Sequence, residues 1–335
     1  MTQPNLTEQG STRLTMVEAI RETMHAEMLR DERIIVMGED VGHLGGVFRA
    51  TDGLQQRFGS QRVFDTPLAE SAIAGSALGL ALSGLIPVIE MQFLAFSQNA
   101  FHQICQQIGR TRFRTRSSHT APITIRAPFG GNVKTPELHS DSMEPMYAHT
   151  TGLKIAMPST AADAKGLLTT AIRDPDPVLF LEPLRGYRLI SDDVPEGEYT
   201  IPFGQLRTIR EGSDITIVTW SASVPVVEEA VEQLVAEGID PHVIDLRTIV
   251  PLDEAGLIEA VEKTGRCVVV HESAAVSGFG AEIIALVQEQ AFYSLQAPLL
   301  RVSGPDAPYP TPAVEGFYVP DANQVTRAVH EALKD

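Results

Sequence analysis

A chain of 335 residues is long for one domain and comfortable for two. With 43% hydrophobic residues it can bury sizeable cores, and no apolar run reaches membrane-spanning length. The net charge of −17 disfavours nucleic acid and anionic membrane as partners.

That charge is unevenly spread. Residues 1–207 carry 19 Lys+Arg against 23 Asp+Glu, a balance of −4, and residues 208–335 carry 7 against 20, a balance of −13. A strongly acidic C-terminal part suits docking of a basic protein surface. The N-terminus, MTQPNLTEQGST, is polar and lacks the apolar stretch of a secretion signal. Two distant cysteines, Cys105 and Cys267, fit neither a disulfide framework nor a zinc site. The expectation is a cytoplasmic protein with reduced thiols.

In chain order, a helix is expected over Thr15–Leu29, then strands at Arg33–Gly38 and Val63–Asp65. A helix rich in Ala and Gly follows over Glu70–Leu82, apolar nearly all round and therefore expected to be buried. Next come a strand at Pro87–Gln92, a helix over Ser97–Arg112, and strands at Pro122–Ala127 and Pro177–Leu181 around a helix at Ala162–Arg173. Pro183, Gly186, Pro195, Gly197 and Pro202 break the pattern. Alternation then restarts, with strands at Asp214–Trp220, Pro241–Leu246, Arg266–Glu272 and Leu299–Ser303 and helices at Val224–Ala236, Asp253–Lys263, Ala281–Ala291 and Asn323–Leu333. The fold class is α/β, with two domains, each a mainly parallel sheet covered by helices on both faces. The boundaries are 1–185 for the first domain, 186–207 for a linker and 208–335 for the acidic second domain.

Three regions could carry chemistry. In RVFDTPLAESAIAG (62–75), Glu70 stands where a strand turns into a helix. A carboxylate there is often only a cap, but in a buried helix it is unfavourable unless paired or used. In EMQFLAF (90–96), at the C-terminal end of a strand, Phe93 and Phe96 could both be ordinary core, and Phe96 could instead offer its face to a flat heteroaromatic ring. The stretch 127–148 is a long loop holding His139, a candidate proton donor or acceptor. No dinucleotide fingerprint, P-loop, serine-hydrolase elbow or zinc-protease motif is present. A diphosphate-binding magnesium loop is also missing.

With these residues stand MGEDVG (37–42), RVFDTPLAES (62–71), PVIEMQF (87–93), PITIRAPFGG (122–131), HSDS (139–142), IDLRTIVPLD (244–253) and KTGRCVVVHE (263–272). In this order the chain resembles the beta subunits of the thiamine-diphosphate-dependent 2-oxo acid dehydrogenases, pyruvate and branched-chain types, of the transketolase-like superfamily. The resemblance implies a pyrimidine-binding first domain and a transketolase C-terminal-like second domain. It also implies oxidative decarboxylation of a 2-oxo acid with acyl transfer to a lipoyl group. Glu70 matches the glutamate that bonds the aminopyrimidine ring, and Leu68, Gln92 and Phe96 match residues lining that ring end. His139 matches the histidine that assists acyl transfer. Magnesium and the diphosphate are expected on an alpha subunit, in an α₂β₂ heterotetramer. Potassium is a further implied ligand, through the backbone carbonyls of Ala121, Ile123, Thr124, Ala171, Asp174 and Asp176. The acidic second domain would dock the basic subunit-binding module of a dihydrolipoyl acyltransferase core. The alternatives are an acetoin dehydrogenase beta subunit and a non-catalytic assembly partner.

Overall fold

The computed structural model describes residues 10–334. The segment MTQPNLTEQ, read above as a polar N-terminus, lies outside them.

Fourteen strands form three sheets among the described residues. They are β1 (Ser11–Thr15), β2 (Ile34–Gly38), β3 (Val63–Asp65), β4 (Ile86–Glu90), β5 (Thr124–Phe129), β6 (Lys154–Ala156), β7 (Val178–Pro183), β8 (Ser191–Pro195), β9 (Arg207–Arg210), β10 (Ile215–Thr219), β11 (Pro241–Asp245), β12 (Thr248–Val250), β13 (Cys267–Ala274) and β14 (Leu300–Gly304). The first large sheet runs β12-β6-β7-β5-β4-β2-β3, parallel except for β12. The second runs β14-β13-β10-β11-β9, parallel except for β9.

The central strands β2, β4, β5 and β7 are buried along their whole length. Their continuous Val/Ile/Leu content is what a sheet covered on both faces requires. Alternate residues serve opposite cores. Ile34 and Val36 enter one with Val88, Val178 and Phe180, while Ile35 and Met37 enter the other with Ile89, Ile125 and Leu179. Helices cover both faces, as expected.

Four features differ from the sequence reading. The helix expected over Ser97–Arg112 is three pieces: a 3₁₀ segment Leu94–Ala100, a π segment His102–Ile108 and one α turn Thr111–Arg114. Buried Ser97 bonds the Leu94 carbonyl and the Tyr147 hydroxyl, tightening the first piece in a way periodicity does not show. The proline-rich stretch after β7 is a short helix, Gly186–Leu189, followed by β8, which pairs antiparallel with β1. Tyr199 then donates to the Ala162 carbonyl at 2.7 Å, so this stretch lies along the first domain. Finally, β1, β6, β9 and β12 were not anticipated; all are short, and β9 and β12 lie at sheet edges. Through β12, the second half of the chain completes the first sheet.

Ion pairs reinforce that junction. Asp163 of the first half meets Arg247 at 2.7 Å and Arg207 at 3.7 Å.

Candidate active site

Strand order reverses around β2, with β3 on one side and β4 on the other. In open parallel sheets, ligands gather outside the strand C-termini at such a switch point. Four chemically distinctive residues leave the sheet there: Glu39 after β2, Glu70 after β3, Gln92 after β4 and His139 on the loop after β5.

Glu70 is the first residue of helix Glu70–Leu82 and is 6% exposed. The helix start has no side-chain cap, so Glu70 is not spent on capping. Its side chain receives one long contact, from the Asn99 amide at 3.4 Å, and pairs with no cation among the described residues. Asn99 belongs to the 3₁₀ segment that carries Phe96.

Next to it, Glu39 has a buried oxygen without a partner. Burial, and then the negative charges of Glu70, Asp40 and Glu90, push its carboxyl up. Sequence reading missed Glu39, although its place one residue past a central strand is the usable signal.

Gln92 is half-buried, and its amide donates to Asp40 at 3.3 Å. Phe93 is buried, with its ring against Phe48, as core. Phe96 is half-buried. The exposed imidazole of His139 stands edge-on to both, its ring centre 4.7 Å from that of Phe93 and 5.2 Å from that of Phe96. Leu68, two residues before Glu70, is 79% exposed. The structure therefore links Glu70 to Asn99, which shares a segment with Phe96, and Phe96 to His139, while Gln92 follows strand β4 and Leu68 precedes Glu70. A carboxylate acceptor, a half-open aromatic face and an uncovered apolar side chain are what a flat heteroaromatic ring needs.

Helix Glu70–Leu82 corrects one expectation. It is not covered all round in the single chain: Ser71, Ala72, Ser76, Gly79 and Leu82 are exposed on one face. Composition reported the helix's preference, and the single chain does not meet it.

A buried polar set behind the site was also missed. The Arg126 guanidinium is fully buried, bonded twice to Glu182 at 2.7 and 2.9 Å and once to Glu90 at 2.8 Å. Tyr187 donates to the same Glu182. Farther along the loop, Glu144 is 1% exposed, and burial pushes its carboxyl up to about 7.

The six positions matched to potassium meet at the N-terminal ends of β5 and β7. Of their backbone carbonyls, those of Ala121, Ile123 and Ala171 each accept one backbone N–H group, at 2.7, 3.0 and 3.3 Å. Lys154 holds Asp174 at 2.6 Å and Arg112 holds Asp176 at 2.6 Å.

The family model "Transketolase, pyrimidine binding domain" matches residues 12–204, and "Transketolase, C-terminal domain" matches residues 204–325. "Pyruvate dehydrogenase E1 component subunit beta" of Staphylococcus aureus (strain Mu50 / ATCC 700699) is 48% identical over 321 residues, covering 96% of this chain and 99% of that protein. Its namesake from Bacillus subtilis (strain 168) is 47% identical with the same coverage. A solved structure, "Split gene transketolase, inactive beta4 tetramer", superposes with a TM-score of 0.77 at 22% identity, covering 96% of this chain and 98% of that one. It shares the fold. With both domain models in tandem and this identity along nearly its whole length, the chain belongs to the transketolase-type family of pyruvate dehydrogenase E1 beta subunits.

Proposed function

We propose that the chain supplies the ring-binding half of a thiamine-diphosphate site that oxidatively decarboxylates pyruvate, with an alpha subunit supplying the magnesium–diphosphate half. The observation that carries this reading is Glu70: a buried carboxylate with no cation among the described residues and no capping role, whose one contact, Asn99, lies in the segment that carries Phe96. When bound, thiamine diphosphate supplies the electron sink for decarboxylation. Glu70 would hold the aminopyrimidine by accepting a hydrogen bond from a ring N–H, and Phe96, Gln92 and Leu68 would line that ring end. His139, close to Phe96, handles the proton in acyl transfer to a lipoyl group. The part of the reading concerning potassium at Ala121, Ile123, Thr124, Ala171, Asp174 and Asp176 rests on resemblance alone.

The open face of helix Glu70–Leu82 supports a partner subunit, because Ala72, Gly79 and Leu82 would otherwise stay in water. No helix among the described residues is long and apolar enough to cross a membrane, and both cysteines are free and buried. A cytoplasmic setting fits that pair of thiols.

The substrate is tested by assaying the co-expressed alpha–beta pair with pyruvate, branched-chain 2-oxo acids and acetoin. Pyruvate is expected to give the highest kcat/KM, and a clear preference for acetoin would replace the reading.

Residues 208–335, at −13, form the docking domain for the acyltransferase core. Exposed Glu228, Glu229, Glu232, Glu254, Glu259 and Glu262 offer carboxylates to a basic module. Affinity for that module should fall by roughly tenfold between low and physiological ionic strength, read by calorimetry, because exposed charges are screened. Salt-independent affinity would mean that apolar contacts carry the docking.

A further inference from the structure

The loop that carries His139 is held from the other domain. Gly131 donates its N–H to the Glu272 carboxylate at 2.5 Å, and Ser142, past His139, donates its hydroxyl to the same oxygen at 3.1 Å. Between these anchors the Asn132 N–H donates to the Tyr309 hydroxyl at 2.7 Å. Tyr309 in turn donates to Glu315 at 3.1 Å, and the Lys134 N–H donates to both oxygens of Glu315 at 3.1 Å. Glu272, Tyr309 and Glu315 are each buried. The fit is close: a Cβ on Gly131 would lie 2.1 Å from the Tyr309 hydroxyl oxygen, so only glycine is accommodated there.

The loop backbone needs such support. Asn132, Lys134 and Glu137 have φ of +63°, +62° and +50°, left-handed values that lysine and glutamate seldom adopt. Strained residues persist where surrounding structure over-determines them. Here the N–H groups of two of the three are taken by Tyr309 and Glu315. A hydrogen bond from Ser140 back to the Thr135 carbonyl, at 2.5 Å, closes the part nearest His139.

We infer that Tyr309 and Glu315, anchored beside Glu272, are positioning residues for His139: the second domain sets the geometry of the acyl-transfer loop of the first. This rests on the reading of His139 as the acyl-transfer residue. Docking of a core on the second domain would then act on the same body that holds the loop.

The test uses the alpha–beta complex and three readouts: decarboxylation with an artificial electron acceptor, acyl transfer to a free lipoyl domain, and hydrogen exchange of the loop amides. Glu315→Ala and Tyr309→Phe are expected to speed exchange at Asn132 and Lys134 and to cut acyl transfer by about tenfold or more, as a displaced group does. Decarboxylation should stay near the parent rate. Glu315→Gln keeps an oxygen able to accept from Lys134 and should recover most of the acyl transfer, which a merely structural lesion would not allow. His139→Ala separates the two ideas. If it loses acyl transfer while Glu315→Ala does not, the positioning role is wrong and the His139 reading stands. If His139→Ala is silent, that reading fails, and the exchange rates still decide whether the second domain orders the loop. Unchanged exchange in both Tyr309→Phe and Glu315→Ala, or equal loss of both activities in Glu315→Ala and Glu315→Gln, overturns the inference.

Discussion

Replacing Glu70 with alanine in the alpha–beta complex is expected to lower 2-oxo acid decarboxylation by about 10²–10⁴-fold, the range a positioned proton-transfer group supplies. This corresponds to roughly 3–5 kcal/mol of activation barrier. The expectation follows from what the carboxylate lacks. It is 6% exposed, starts a helix without capping it, and among the described residues has only the 3.4 Å Asn99 contact. A buried carboxylate in that condition destabilises the isolated chain unless something else occupies its oxygens. Glu70→Gln should therefore unfold at the same or a higher denaturant concentration than the parent, while its activity collapses. Loss of both stability and activity would make Glu70 a structural residue. Carbon dioxide release within about threefold of the parent rate, from a complex of normal size, would remove Glu70 from the chemistry.

The neighbouring carboxyl bears on how that experiment is read. Glu39 is pushed up by burial first and by Glu70 second, so the two are linked. Removing the Glu70 charge relieves Glu39, whose carboxyl should then titrate lower. A pH–rate profile that moves in Glu70→Gln is expected for this reason and does not assign a catalytic proton to Glu39.

What could be read from the sequence, and what could not, divides along physical lines. The strands β2, β4, β5 and β7 were legible because parallel strands covered on both faces are written as unbroken apolar runs. Glu70 stood out because an acid in a run of Ala and Gly is a local contradiction. His139 stood out because an aperiodic loop inside an α/β domain is unusual. Asn99 was not legible, since its side chain matters only after the turn has folded into 3₁₀ geometry against the Glu70 helix. Tyr309 was hidden for a different reason: it meets Asn132 across 177 residues of chain, and no periodicity encodes such a contact. The open face of Glu70–Leu82 lies between these cases. Composition correctly said that the helix is apolar, while whether that surface is covered depends on molecules other than this chain.

The largest expected effect on stability belongs to Arg126, which the sequence reading did not single out. Its guanidinium has no exposure and bridges Glu182, through two bonds, and Glu90, through one. Burying three charged groups is costly, and here that cost is offset by three charge-assisted hydrogen bonds, two of them a bidentate pair to Glu182. Burial alone would push the Glu90 carboxyl up, and Arg126 is the main influence pulling it down. Arg126→Met keeps much of the volume but leaves two carboxylates facing each other in the core. The expected loss is about 3–5 kcal/mol, the range measured when one partner of a buried pair is removed. Urea unfolding at neutral pH checks this, and a loss below about 1 kcal/mol would show that water or backbone movement relieves the pair. Making Glu90→Gln and Glu182→Gln in the same chain should restore much of the stability, because amides do not repel each other as carboxylates do. The triple variant also separates stability from function. β4 ends at Glu90, two residues before Gln92, so a restored fold with a displaced Gln92 should bind thiamine diphosphate more weakly than the parent complex. If binding is fully recovered along with stability, the network acts only as a core filler, and the ring-end residues are placed by the apolar sheet alone.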